Sequence, residues 1–182
     1  MSIVSKLLKA LLPLVLFSVL AIFLVKGLKR NPHHVLSAFI GKPVPQFSKN
    51  ALQVSNRPIT NKIFQGHVSL LNVFASWCTY CRAEDSVLMD LKIAHQVFIY
   101  GLDYKDKRLS AMQWLENYGD PYDKIIFDPK GVLAFNLGVY GTPETFIVDK
   151  HGVIRYKYVG PITSKKWKTT LQPIIAELNR ES

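Results

Sequence analysis

The sequence predicts a mixed α/β sheet flanked by helices and preceded by one N-terminal transmembrane helix. Three observations predict it. Residues 10–25 contain no charged side chain. Residues 69–76 (SLLNVFAS) form an apolar, strand-like run that gives way to a helical pattern and then to a second such run. Residues 145–149 and 153–159, rich in β-branched and aromatic residues, flank Lys-His-Gly, a hairpin signal. The expected organisation is a membrane anchor with basic flanks over residues 1–30, a linker over 31–45 and a folded domain over 46–182.

The elements follow in order. If the Lys9 stem snorkels, a helix over residues 7–28 extends about 33 Å, enough to span a bilayer. A cleaved signal peptide is the competing reading, but after Phe23 the chain reads Leu-Val-Lys-Gly-Leu-Lys-Arg, with no small-x-small site. Lys6 and Lys9 on one side face Lys26, Lys29 and Arg30 on the other, so flanking charge alone leaves the orientation open. The two prolines and the His33–His34 pair of residues 31–45 read as linker, and a metal site there lacks a third ligand.

Within the domain, residues 69–76 suit a central strand buried on both faces. Ala83, Val87, Leu88 and Leu91 recur at helical spacing, and residues 96–102 (QVFIYGL) return to a strand pattern, completing a βαβ unit. A second helix is expected over 110–118, a strand over 124–127, a helical turn over 131–137 and the hairpin over 145–159. Residues 163–181 close the domain as a helix with a Thr or Ser cap, an apolar stripe of Trp167, Leu171, Ile174, Ile175 and Leu178, and a kink at Pro173.

Composition narrows the function. The chain has 182 residues, 48% hydrophobic and 20% charged, with two Cys, so disorder throughout, a disulfide-dense mini-fold, collagen-like repeats and a zinc ribbon are all excluded. The net charge of +10 is no nucleic-acid signal. Five basic residues flank the apolar run, and the remaining 18 are interspersed with 13 acidic ones. Lys165, Lys166 and Lys168 fit the solvated face of the last helix.

Both cysteines lie in Trp77-Cys78-Thr79-Tyr80-Cys81, where the buried strand gives way to a helix. Free N–H groups and the dipole at a helix start favour an anion, so Cys78 is the candidate thiolate and nucleophile. Cys81, one turn on, is placed to resolve a mixed disulfide. A zinc site would need two further ligands, and so short a disulfide loop stabilises little as a purely structural device. Thr142-Pro143, after Gly141 and before a strand, is the second element of interest; taken alone it reads better as an ordinary trans loop proline, and the Cys pair reverses that preference.

With these residues together, the sequence resembles the thioredoxin superfamily, which carries W-C-x-x-C after a central strand and a cis-proline loop later in the chain. Residues 37–45 (SAFIGKPVP), 70–73 (LLNV), 81–84 (CRAE), 104–106 (YKD) and 138–146 (GVYGTPETF) narrow the resemblance to the membrane-anchored DsbE (CcmG) proteins of cytochrome c maturation. The similarity runs from about residue 37 to the last helix, and the 138–146 stretch is what points to this branch.

The resemblance implies a thioredoxin-like fold and a periplasm-facing dithiol on the bacterial inner membrane. Its partners would be apocytochrome c, reduced at its C-x-x-C-H haem site, or a maturation thiol protein, with a membrane thiol reductase as electron donor. No cofactor beyond the Cys78–Cys81 redox pair, no metal and no nucleic acid are expected. Carried over residue by residue, Cys78 is the nucleophile, Cys81 the resolving thiol and Pro143 the cis-proline. A cis bond there turns the backbone of Thr142 outward to pair with an extended peptide. Trp77 and Tyr140 would line the groove, and Glu84 and Glu144 would be the acidic groups near the site. Asn72 stands where ordinary thioredoxins have a buried carboxylate for proton transfer, so that role is either missing here or moved to Glu84. Thr79 and Tyr80 replace the Pro common between the cysteines, which bears on the redox potential rather than the fold.

Three other functions compete. A general periplasmic thiol reductase or oxidase would lack preference for C-x-x-C-H. A copper-delivery module uses C-x-x-x-C and a distal His, whereas this chain has two residues between its cysteines, and His151 falls in the expected hairpin turn. A non-catalytic anchored module is disfavoured by an intact Cys pair at a helix start.

Overall fold

The computed structural model describes residues 3–28, 39–53 and 58–181. The chain divides into two units, Met1–His34 and Val35–Ser182. The first contains α1 (Ile3–Leu28), 26 residues long with Pro13 inside it. Its side chains are described over residues 11–26, where Leu12, Leu16, Phe17 and Phe23 are among the exposed apolar groups. Among the described residues no helix is long and apolar enough to cross a membrane. His33, His34 and the first part of the expected linker lie outside the described residues.

In the second unit a short antiparallel pair, β1 (Ser48–Lys49) and β2 (Ile59–Thr60), precedes the main sheet. That sheet contains β3 (Ser69–Phe74), β4 (Phe98–Tyr104), β5 (Lys124–Asp128), β6 (Glu144–Val148) and β7 (Ile154–Val159) in the order β5-β4-β3-β6-β7. β3, β4 and β5 are parallel, while β6 runs antiparallel to both β3 and β7. All six residues of β3 are buried, as expected for a central strand covered on both faces.

The helices cover the two faces unequally. α2 (Thr79–Ile93), α3 (Arg108–Tyr118) and the C-terminal helix pack on the face that carries Leu70, Phe74 and Ile125. The short α4 (Val132–Asn136) and Phe64 cover the face with Leu71, Val73 and Phe146. The elements predicted for the folded domain are all present, with boundaries displaced by a residue or two where strands run on into polar residues such as Asp128 and Tyr104.

Two local features depart from the sequence reading. The linker expected to reach Pro45 is built into the domain from Phe39 onward. Gly41 N–H donates to Ile154 O at 2.7 Å, Ile154 N–H to Lys42 O at 2.9 Å, and Val44 N–H to Gly152 O at 2.8 Å. The hairpin edge offers unpaired groups that this segment satisfies, and buried Val44 anchors it. The C-terminal helix is interrupted rather than simply kinked: α5 (Ser164–Lys166), capped by Thr163 Oγ1, leads into a π-helical turn, Trp167–Leu171, and then α6 (Gln172–Arg180). Pro173 has no N–H for the ordinary ladder and would crowd the carbonyl four residues back. Widening the turn, with Gln172 N–H reaching Trp167 O, accommodates it.

Gly101 of β4 leaves room for an aromatic stack that reaches the functional end of the sheet. A Cβ there would sit 2.9 Å from Phe74 Cε1 and 3.0 Å from Tyr122 Cγ. Gly101→Ala is expected to destabilise the chain by about 1–3 kcal/mol through overpacking, measured as a lower urea midpoint with unchanged slope.

Candidate functional site

The chain leaves β3 at Phe74, turns through Ala75–Ser76–Trp77 and enters α2, with Cys78 as the residue that caps the helix. Cys78 has extended backbone angles, φ −90° and ψ 104°, and its Sγ accepts the Cys81 N–H at 3.1 Å. A sulfur held there faces the unsatisfied N–H groups of the first turn, the environment that stabilises a thiolate. Cys78 and Cys81 are joined in a disulfide, so the structure is the oxidised form. Cys81 is 1% exposed and Cys78 6%, which leaves Cys78 the more accessible sulfur.

The bond between Thr142 and Pro143 is cis. Pro143 O accepts from Gly160 N–H at 2.9 Å, whereas no other backbone group among the described residues uses the Thr142 N–H or C=O. Thr142 and Pro143 line a groove of about 250 Å³ together with Tyr80, Gly141, Gly160 and Pro161. Tyr80, between the cysteines, thus meets the proline loop from far along the chain. A second cleft of about 350 Å³ lies beside Cys78, lined by Trp77, Thr79, Arg82, Gln113 and Tyr118 among others. Trp77 is 57% exposed, and its Nε1–H donates to Lys105 O at 3.2 Å. Tyr140, expected in the groove, lines neither cleft; it is largely exposed, with Lys157 Nζ 4.8 Å from its ring centroid.

The two candidate acids occupy different settings. Glu84 is buried. Its Oε1 accepts from Asn72 Nδ2 at 2.8 Å and its Oε2 from Ile162 N–H at 2.8 Å. Asn72 also donates to Thr145 Oγ1 at 3.0 Å and accepts from Tyr122 O–H at 2.8 Å. Burial pushes the Glu84 carboxyl up to about 7, against the pull of the Ile162 and Asn72 donors. One helical turn after Cys81, Glu84 is a buried acid with a proton to exchange near neutrality.

Glu144 instead braces the proline loop. Its carboxylate forms a buried ion pair with Lys157 at 2.8 Å and accepts from Tyr140 N–H at 3.2 Å, while Lys157 also donates to Gly138 O at 2.8 Å. Burial raises the Glu144 carboxyl, and Lys157 and the N–H groups of Tyr140 and Gly141 offset part of that rise.

Several contributors escaped the sequence reading. Tyr122 is buried, stacks on Phe74 at 4.7 Å between centroids and completes the Asn72–Glu84 network. Asp85, beside Glu84 on α2, is raised to about 6 by burial and by Asp120. Lys157 had no signal beyond its place in a strand. For Asp85, spacing alone was available: it follows Cys81 by four residues on the same helix. Among the described residues no group of three His, Cys, Asp or Glu side chains could hold a metal ion.

The redoxin family model matches residues 39–171. The chain is 45% identical over 168 residues to the thiol:disulfide interchange protein DsbE of Allochromatium vinosum, covering 92% of this chain and 93% of that one. It is 45% identical over 181 residues to DsbE of Haemophilus influenzae, covering 95% and 98% respectively. A crystal structure of a candidate thiol:disulfide interchange protein DsbE from Chlorobium tepidum matches with a TM-score of 0.63 and 25% identity, over 75% of this chain and 96% of that one.

The raised pKa of Glu84 has a stability consequence. Its folded value lies above the unfolded one, so its contribution is complete below about pH 4.5 and is lost as pH rises through about 7. The stability difference between the oxidised chain and Glu84→Gln is expected to change by about 3 kcal/mol between pH 4 and 8, measured by urea unfolding at each pH. A difference independent of pH would place the Glu84 proton elsewhere.

Proposed function

The chain belongs to the redoxin family and is a DsbE-type thiol:disulfide oxidoreductase of the thioredoxin superfamily, and from that premise we propose that it reduces the disulfide of an apocytochrome c C-x-x-C-H site, or of its maturation partner, before haem attachment. The observation that carries this reading is the 138–146 stretch, which Glu144 and Lys157 fold into a cis-proline loop against Tyr80 of the redox turn.

In the reaction, the Cys78 thiolate attacks one sulfur of the substrate disulfide. A mixed disulfide forms and the other substrate sulfur leaves as a thiolate. Cys81 then attacks Cys78 Sγ, the second substrate sulfur departs, and the protein is left with the Cys78–Cys81 disulfide present in this structure. Two electrons pass to the substrate. Glu84 accepts the proton that Cys81 gives up, taking the role that Asn72 cannot perform as an amide. Thr142 supplies the backbone N–H and C=O against which an extended substrate segment pairs, and Trp77 covers the approach to Cys78. No metal or organic cofactor enters this scheme.

The same reading has the catalytic domain in the periplasm and an anchor over residues 1–30 in the inner membrane; the exposed apolar side chains of α1 between Leu11 and Val25 support the anchor, although no helix among the described residues is by itself long and apolar enough to cross a membrane. That compartment is kept oxidising, so the dithiol would be regenerated by a membrane thiol reductase.

Cys81→Ala is expected to accumulate a mixed disulfide at Cys78 with an oxidised C-x-x-C-H peptide. A competing disulfide peptide of the same spacing without the His is expected to be captured more slowly, as read by mass spectrometry; equal capture rates would favour a reductase of broad range. In intact spheroplasts, a membrane-impermeant maleimide is expected to label both cysteines without prior reductant. Labelling only after reductant would point to an oxidase, and no labelling under either condition would reverse the topology.

A further inference from the structure

Asp103, near the end of β4, is completely buried, and neither of its carboxyl oxygens receives an N–H or O–H donor. The charged and titratable groups around it are Asp106 in the following loop, Arg108 at the start of α3, Asp128 at the end of β5, and Tyr122. Arg108 is engaged elsewhere: its guanidinium donates to the carbonyls of Ala51 and Leu52 and stacks on Phe127. Asp128 pairs with Lys49 at 2.8 Å and receives the Val132 and Ala134 N–H groups at the start of α4. The Tyr122 hydroxyl donates its hydrogen bond to Asn72 Oδ1. Asp106 remains, within hydrogen-bonding reach of Asp103.

Asp106 is the opposite of Asp103 in its donors. It accepts from Ser76 N–H at 2.5 Å, from Ser76 Oγ–H at 2.9 Å and from Lys107 N–H at 2.7 Å. Two buried carboxyls in contact cannot both be ionised without strong repulsion, so one proton is held between them. Asp106 already accepts three hydrogen bonds and Asp103 none, so the shared proton sits on Asp103.

We propose that Asp103, as a neutral acid, donates a hydrogen bond to Asp106 and so latches Ser76, two residues ahead of Cys78, making Asp103 a positioning residue for disulfide exchange. The latch is one of several ties between the two loops: Trp77 Nε1–H binds Lys105 O in the same seam, and Cys78 N–H returns to Ala75 O at 3.1 Å. Ionisation of Asp103 sets a second negative charge beside Asp106. The Ser76 bonds loosen, and the added charge opposes the thiolate at the start of α2. Burial, with Asp106 adding to it, raises the Asp103 carboxyl to about 8, so the latch is closed at neutral pH and opens above that value. The inference goes beyond the cytochrome reading and rests only on Cys78 as the attacking thiol.

The test uses the reduced full chain in detergent micelles, following the Ser76 amide by NMR and the rate of Cys78 alkylation by iodoacetamide from pH 6 to 10. In the unmodified protein the Ser76 amide is expected to shift with a midpoint near pH 8, and the alkylation profile to bend downward from a simple thiolate curve at the same point. Asp103→Asn keeps a donor that cannot ionise. It should abolish both features while holding the rate at pH 7 within about twofold. Asp103→Leu removes the donor, and should displace the Ser76 amide at every pH and slow alkylation by about tenfold, the loss expected for one hydrogen bond to a charged group. A Ser76 amide that does not titrate, or a titration that persists in Asp103→Asn, would overturn the latch. Because that amide reads the latch whichever sulfur attacks, failure of the Cys78 assignment would be seen separately in the site of alkylation.

Discussion

The seating of the α2 N-terminus on the end of β3 is the constraint to which the rest of the structure answers. β3 is buried along its whole length, and its ladders to β4 on one side and β6 on the other determine where the chain leaves the sheet. From that point Cys78 becomes the helix cap and Cys81 falls in the first turn. Each neighbour of β3 then contributes a support. β6 follows directly from the cis-proline loop that meets Tyr80, and β4 runs on into the loop whose Asp106 holds Ser76. A shift of β3 by one residue would exchange its faces and dismantle both supports at once.

Around this junction the fold keeps its carboxyls in two ways. Glu84, Asp85 and Asp103 are all raised by burial, to about 7, 6 and 8. Each is neutral only below its own value, so at neutral pH the three together set less negative charge near the cysteines than three fully ionised carboxyls would. Glu144 is handled by pairing, with Lys157 buried beside it and also bonded to Gly138 O. A buried pair of this kind is a weak contributor to net stability, but it ties both ends of the 138–144 loop to β7. The acids on α2 and at the end of β4 are thus left with raised values by burial, while the acid under the proline loop is tied into an ion pair that holds its shape.

Much of this was legible before any coordinates. The apolar run of β3, the helical spacing of Ala83, Val87, Leu88 and Leu91, and the Lys-His-Gly turn are local patterns, and each element formed where its periodicity placed it. The C-terminal helix was legible as a helix, but Pro173 was resolved by a π-helical turn, because the way a helix absorbs a missing N–H depends on what packs against it. Residues 39–45 read as linker from their prolines and mixed polarity. They are ordered because the β7 hairpin edge lacked partners, a need visible only once the sheet exists.

The sequence by itself determined the class of chemistry: two cysteines at a strand-to-helix junction, with a proline loop of recognisable composition downstream, because such features are set by neighbours within a few residues. The tertiary structure decided which acids are buried beside that junction and which way burial moves them. Glu84 is buried by contacts with Asn72 and with Ile162, 78 residues away; Asn72 is oriented by Thr145 and Tyr122, 73 and 50 residues away. Desolvation is a property of everything packed around a group, so no local pattern along the chain could have announced it.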